Sequence, residues 1–270
     1  MQAHEKSGGS AERQPPVGVI TEVHGPVAVI ACETLPPLRQ ALSTSIDQEV
    51  YVFEVHQHLD ERHVRAISLH RSSGLYRGIA PDADLVTVRV LDEVGQGLSS
   101  DVIAGLDEIL ALNQQHWHVR VVNLSLGHPV YQPAAEDPLV QAVEAIWDSG
   151  VVVVCSAGNA GRDGYGTITS PGNSRKVITV GSVTTWGDSD PGNDIISTFS
   201  SRGPTLGDHI VKPDLVTPGN RLISATAARS YLESNHPDRL IKAPGARSAD
   251  YYQLSGTSMA AAVVSGSLKI

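Results

Sequence analysis

The sequence predicts an α/β protein with a parallel sheet, preceded by a small all-β domain. Two textures and one break between them carry this reading. Between residues 17 and 77, short β-branched or alternating runs are separated by turn residues. From Gly78 onward, apolar strand-like runs alternate with stretches of helical apolar spacing. Strand–helix alternation of that kind implies βαβ units and a sheet covered on both faces. Short strands punctuated by turns suggest a small barrel or sandwich.

Residues 1–16 are poor in apolar side chains and rich in Gly, Ser and Pro, so they read as a disordered leader. The runs 17–23, 27–32, 49–55 and 63–69 then read as strands. Gly25-Pro26, Pro36-Pro37 and Ser72-Ser73-Gly74 break them apart. After Gly78, residues 85–91 read as a buried strand, and 100–112 as a helix capped by Ser99 or Ser100. Residues 119–124, 151–155 and 177–183 read as strands, with a helix over 138–147. The expected domains are therefore 1–16, 17–77 and 78–270.

Composition narrows the partners. The 270 residues carry a formal net charge of -9 and no Lys/Arg run, which argues against nucleic acid. Cys32 and Cys155 are too few for a disulfide framework. Neither a secretory signal nor a membrane span is encoded, so the chain is expected in the cytoplasm. No G-x-x-x-x-G-K-[ST] loop occurs, so ATP binding is not expected, and no other cofactor is implied. His56, His58 and His63 invite a zinc reading, but no carboxylate or Cys with fixed spacing accompanies them, and no metal is assigned.

Acyl transfer at neutral pH needs a nucleophile, a base and donors for the developing oxyanion. Ser258, in Gly256-Thr257-Ser258-Met259-Ala260, is the nucleophile candidate. It would open an Ala-rich helix over 259–266, with its hydroxyl near the positive helix end. Asn159 follows the apolar run 151–155 and could offer a side-chain amide to an oxyanion. Asn123-Leu124-Ser125-Leu126-Gly127 ends another strand and could pair with an extended peptide.

These segments, together with Gly78-Ile79-Ala80-Pro81, Ser200-Ser201-Arg202-Gly203-Pro204, Lys212-Pro213-Asp214 and Thr217-Pro218-Gly219, resemble the subtilisin-like serine peptidases in order. The resemblance implies that Ser258 attacks and that Asn159 stabilises the oxyanion. It implies that Ser125, Leu126 and Gly127 bind the peptide, with Ala157 and Gly158 lining the pocket for the residue before the scissile bond. A polypeptide substrate or ligand follows. Ala262 departs from the family, which usually has Pro there, and the helix carrying Ser258 is expected to be cut short at Ile270.

The family's Asp and His segments are not found. Asp148-Ser149-Gly150 has the right composition but sits where the family has an ordinary turn. Ala31 stands where the strand Val27-Ala28-Val29-Ile30 would carry the acid. Asp60-Glu61-Arg62-His63 only partly matches the His motif, and His56, His58 and His70 are candidates by residue type alone. Instead, Gly18-Val19-Ile20-Thr21-Glu22-Val23-His24-Gly25-Pro26, Leu35-Pro36-Pro37-Leu38, Glu54-Val55-His56-Gln57-His58-Leu59 and Gly74-Leu75-Tyr76-Arg77-Gly78 resemble the N-terminal β-barrel of the beta subunit of rotary ATP synthases. That implies ring packing with ATP-synthase-type subunits and a fusion at Gly78. Three expectations result: a peptidase lineage with little or no activity, a peptide-binding module, or a structural ring part. The lost acid-bearing strand would leave an unpaired seam between residues 85–91 and 119–124.

Overall fold

The computed structural model describes residues 2–5, 18–24, 27–37, 41–46, 49–68, 78–81, 83–115, 117–187, 190–226, 230–242 and 251–268. The chain divides into two units. One comprises residues 1–77 and 225–252, the other 78–224 and 253–270.

In the first unit, β1 (Gln2–Glu5), β2 (Gly18–His24), β3 (Val27–Cys32), β4 (Ala41–Ile46), β5 (Glu49–His58) and β6 (His63–Ser68) pair antiparallel. The order is β1-β2-β3-β6-β5-β4, and β1 also pairs with β4, so the path returns on itself. Ile30 and Val55 are fully buried. Two strands differ from the sequence reading. Part of the expected leader forms β1, because backbone groups paired on both sides do not depend on apolar side chains. The β4 segment, Ala-Leu-Ser-Thr-Ser-Ile, is too polar to stand out by composition. The rest of the leader, Ser72-Ser73-Gly74, His70 and the Gly74–Arg77 part of the barrel resemblance lie outside the described residues.

The second unit is the one that positions the candidate site. Its first helix, α1 (Ser99–Gln114), buries Val102, Leu106 and Leu112. Leu98, rather than Ser99 or Ser100, is its N-cap, and no side chain caps it. β7 (Val121–Leu124) follows, then α2 (Pro138–Asp148). Asp137 caps α2 by accepting the Leu139 N–H, and Pro at the first turn suits a position without an intrahelical acceptor. Leu139, Val140, Val143 and Ile146 give α2 one apolar stripe. The helix ends at Asp148, and Gly150 just past it has a φ of +92°, costly for residues with a Cβ.

β8 (Val152–Ser156) lies parallel to β7 and to β9 (Ile178–Thr184). β10 (Ile195–Ile196) pairs antiparallel with β9, and β11 (Leu215–Pro218) pairs parallel with it. The alternation of strand side chains divides the core between two faces. Val153 and Cys155 pack with α1 and α2, whereas Val154 packs with Ala260, Ala261 and Val264. These last residues belong to α4 (Thr257–Ser267). Before it in the chain come β12 (Leu222–Ala225), α3 (Tyr231–Asn235), β13 (Leu240–Ile241) and β14 (Tyr251–Leu254), of which α3 and β13 lie wholly within the first unit. β13 pairs antiparallel with β14.

The expected strand over 85–91 is absent. Leu85 and Val86 are exposed, at 70% and 40%, and the segment joins no sheet among the described residues. β7 has a strand partner only in β8 among those residues. Val88 and Val90 rest instead against α1 at Gly105, where a Cβ would lie 2.7 Å from Val90 Cγ1. An apolar run needs a hydrogen-bonding neighbour to become a strand, and residues 85–91 have none among the described residues.

Candidate active site

Three chain segments meet at the carboxyl ends of β7 and β8 and the amino end of α4. Parallel strands all point their carboxyl ends the same way, so loops leaving β7 and β8 converge on one rim of the sheet. α4 is fixed there by its apolar side, Ala260, Ala261 and Val264, against Val154 and Val180.

Thr257 joins two of the segments. It is fully buried. Its N–H donates to Asn159 Oδ1 at 2.9 Å. Its Oγ1 accepts from Gly158 N at 3.1 Å and lies 3.1 Å from Gly158 O and 3.2 Å from Asn159 Oδ1, to which it can donate. Because a backbone N–H can only donate, the Asn159 atom facing Thr257 is its carbonyl oxygen, which leaves Nδ2 as the outward donor. Gly158 has a φ of +104°, and a Cβ there would sit 2.8 Å from Ser201 Oγ. Thr257 had no role in the sequence reading; its place between Gly256 and Ser258 was the available signal.

Ser258 and Ser125 bond reciprocally. Ser258 Oγ donates to Ser125 O at 3.2 Å, and Ser125 Oγ donates to Ser258 O at 2.8 Å. Asn123 Nδ2 donates to Ser125 Oγ at 2.9 Å, and its Oδ1 accepts from Ser265 Oγ at 3.0 Å. The end of β7 is thus tied to α4 at two levels. Gly256 N donates to Gly219 O, bringing Thr217-Pro218-Gly219 against the start of the helix. Ser125, Gly127 and Asn159 are exposed, Leu126 is half-buried, and Ala157 and Gly158 are buried. The structure therefore brings together Ser258, Asn159, Ser125, Leu126, Gly127, Ala157 and Gly158.

The other candidates have different partners. Asp148 takes Lys176 Nζ at 2.7 Å and 2.9 Å, and this ion pair holds the Lys176 ammonium above its ordinary range. Asp60 accepts from Arg62 N, His63 N and His63 Nδ1 in the turn between β5 and β6. The Arg62 N–H first, and His63 next, hold its carboxyl below the ordinary range. His58 Nε2 lies 2.8 Å from Pro36 O. His63 and His58 are thus engaged separately, and no metal-holding group of three or more His, Cys, Asp or Glu occurs among the described residues. α4 runs unbroken through the exposed Ala262. Among the described residues, the hydrogen bond made by Ser258 Oγ goes to a carbonyl, not to an imidazole.

The Subtilase family profile matches residues 65–269, most of the chain. The chain belongs to the subtilase family. The match begins inside β6, ahead of the Gly78 boundary read from the sequence. This subtilase is 41% identical over 199 residues to Serine protease AprX of Bacillus subtilis (strain 168), covering 72% of this chain and 43% of that protein. It is 31% identical to the Major intracellular serine protease of the same organism, covering 76% of this chain and 51% of that one. Among solved structures, it is similar to Sphericase, with a TM-score of 0.54 and 27% identity over 70% of this chain and 54% of that one. The chain spans about half, or less, of the length of these relatives. No helix among the described residues is long and apolar enough to cross a membrane.

Proposed function

We propose that this subtilase carries the nucleophile half of a serine endopeptidase site and, as this chain stands, cuts peptide bonds very weakly or not at all. Ser258 is the group that would attack the scissile carbonyl to form an acyl-enzyme. Asn159 Nδ2 and the amino end of α4 would stabilise the oxyanion, since both present donors where negative charge develops. Ser125, Leu126 and Gly127 would pair with the extended substrate. Ala157 and Gly158 would line the pocket for the residue before the scissile bond. The observation that supports this reading is the set of bonds through Thr257, which ties Asn159 and Gly158 to the residue next to Ser258. The orienting acid and the base are unassigned. A serine site without its base typically keeps only about 10³–10⁴-fold catalysis over water. Exposure to a fluorophosphonate should therefore give slow, substoichiometric labelling that disappears in Ser258→Ala. Rapid, complete labelling of Ser258 would refute the inactive assignment.

A second reading, a non-catalytic peptide-binding module, is favoured by the bond from Ser258 Oγ to a carbonyl. It predicts measurable peptide affinity that is lost in Gly127→Pro, in a protein that still unfolds cooperatively. For residues 17–77, a ring-packing role is what the ATP-synthase resemblance of the sequence implies. Absence of co-purification with alpha-type subunits would sink it.

A further inference from the structure

Residues 125–127 form one wall of a cleft and 157–159 the other. The residue after the first wall, His128, belongs to a closed ring of contacts. His128 and Ser170 exchange two backbone bonds, at 3.0 Å and 2.9 Å. Ser170 Oγ donates to Asp137 Oδ2 at 2.7 Å, and the same oxygen lies 3.9 Å from His128 Nε2. Asp137 Oδ1 caps α2 by accepting the Leu139 N–H. Ser170 and Asp137 are buried, whereas the His128 side chain is 28% exposed. Thr169 N, one residue before Ser170, donates to Ala157 O on the opposite wall. The ring thus reaches both walls and the start of α2.

One proton decides how firmly that ring closes. His128 Nδ1 lies 2.7 Å from Pro129 O, and a carbonyl oxygen only accepts, so Nδ1 carries a hydrogen. In the neutral imidazole Nε2 is then a lone pair, and it faces a carboxylate that also only accepts. In the imidazolium Nε2 is a donor within ion-pair reach of Asp137 Oδ2. The Tyr131 ring lies against the other side of His128, with centroids 5.6 Å apart and planes 10° from parallel, a placement suited to a cation. Among the described residues, Asp137 and Tyr131 are the ionisable groups in ion-pair or ring contact with His128. Residues 125–127 and 167–170 carry none. Glu136 is exposed beside Asp137, and Asp208 accepts the Ala134 N–H.

We propose that His128 is a positioning residue that tightens the peptide-binding edge when it is protonated, so that this subtilase holds extended polypeptide more firmly at mildly acidic pH than at about pH 8. The inference rests on the reading of residues 125–127 as the peptide site. A closed ring leaves the edge fewer conformations to give up when a peptide pairs with it. Histidine gains its proton between about pH 8 and pH 5, so the effect is full below that range and lost as pH rises through it. The probe is acetyl-Ala-Ala-Val-Ala-amide, which has no ionisable group. It is titrated against the ¹³C-labelled full chain at about pH 5.5 and about pH 8, following the Gly127 Cα–H resonances. Binding should be about two- to fivefold tighter at the lower pH, the range a partly exposed ion pair supports. His128→Gln and Asp137→Asn should each lose that preference. The first changes a part-exposed side chain, and the second keeps an oxygen to cap α2, so one serves if the other unfolds. Equal affinities at the two pH values, or an undiminished preference in a folded variant, would overturn the role of His128 while leaving the peptide site standing. If the peptide moves no Gly127 resonance at either pH, the peptide-site reading fails and the proposal with it.

Discussion

Replacing Thr257 with Val tests whether the two motifs at the site are held together as described. Valine has nearly the shape of threonine, so no cavity forms and the loss is confined to the hydroxyl. Two bonds end at that hydroxyl. Gly158 N–H loses its acceptor in a buried setting, which costs about 1–3 kcal/mol. Gly158 O loses one donor but keeps another, Ser201 N at 3.0 Å, so its share is about 1 kcal/mol or less. Asn159 Oδ1 keeps the Thr257 N–H. The sum is about 1–4 kcal/mol. All three tryptophans, Trp117, Trp147 and Trp186, lie in the second unit, so their fluorescence reports on that unit alone. With a urea dependence of about 1–3 kcal/mol per molar, the midpoint should fall by roughly 1 M at unchanged slope. Thr257→Ser keeps the hydroxyl and should lose only about 1 kcal/mol. A midpoint unmoved by Thr257→Val would refute the bonding scheme.

Other outcomes follow from the same geometry. Burial pushes the Cys155 thiol up to about 12, so native protein at pH 8 should resist iodoacetamide at Cys155 and react there only on unfolding. Because the unfolded thiol ionises near 8.5 and the folded one does not, stability should decline as pH rises from about 9 toward 12; a flat stability across that range would contradict it. Gly158→Ala adds a Cβ at φ +104° against Ser201 Oγ and should destabilise the unit by about 2 kcal/mol or more in the same fluorescence assay. Asp137→Ala removes the α2 cap and the acceptor of Ser170 Oγ, with an expected loss of about 2–3 kcal/mol and a shifted Thr169 amide resonance.

The elements that sequence reading located well are those whose local signals agree with their surroundings. α2 has a capping Asp137, a proline in its first turn, a stripe of Leu139, Val140, Val143 and Ile146, and Gly150 past its end. β8 is an unbroken apolar run, as a strand covered on both faces must be. Residues 85–91 show the limit of that signal. Their pattern is strand-like, yet whether a strand forms depends on a neighbour that is not local in sequence. Ser99 and Ser100 looked like caps because serine usually is one, but the helix begins at Ser99 with Leu98 ahead of it. At the site, Ser258 and Asn159 were legible as motif positions. Thr257 was not, because its importance lies in bonds to Gly158 and Asn159, far away along the chain.

The paired bonds between Ser258 and Ser125 set up a competition. Ser125 O is both the acceptor of the Ser258 hydroxyl and a backbone group at the wall where an extended peptide would pair. A ligand N–H directed at this oxygen would compete with the hydroxyl for it, so arrival of the peptide would loosen the hold on Ser258. Peptide binding would then carry the cost of weakening a resting contact, and Ser258→Ala, which lacks that contact, should bind the same peptide more tightly than the native chain.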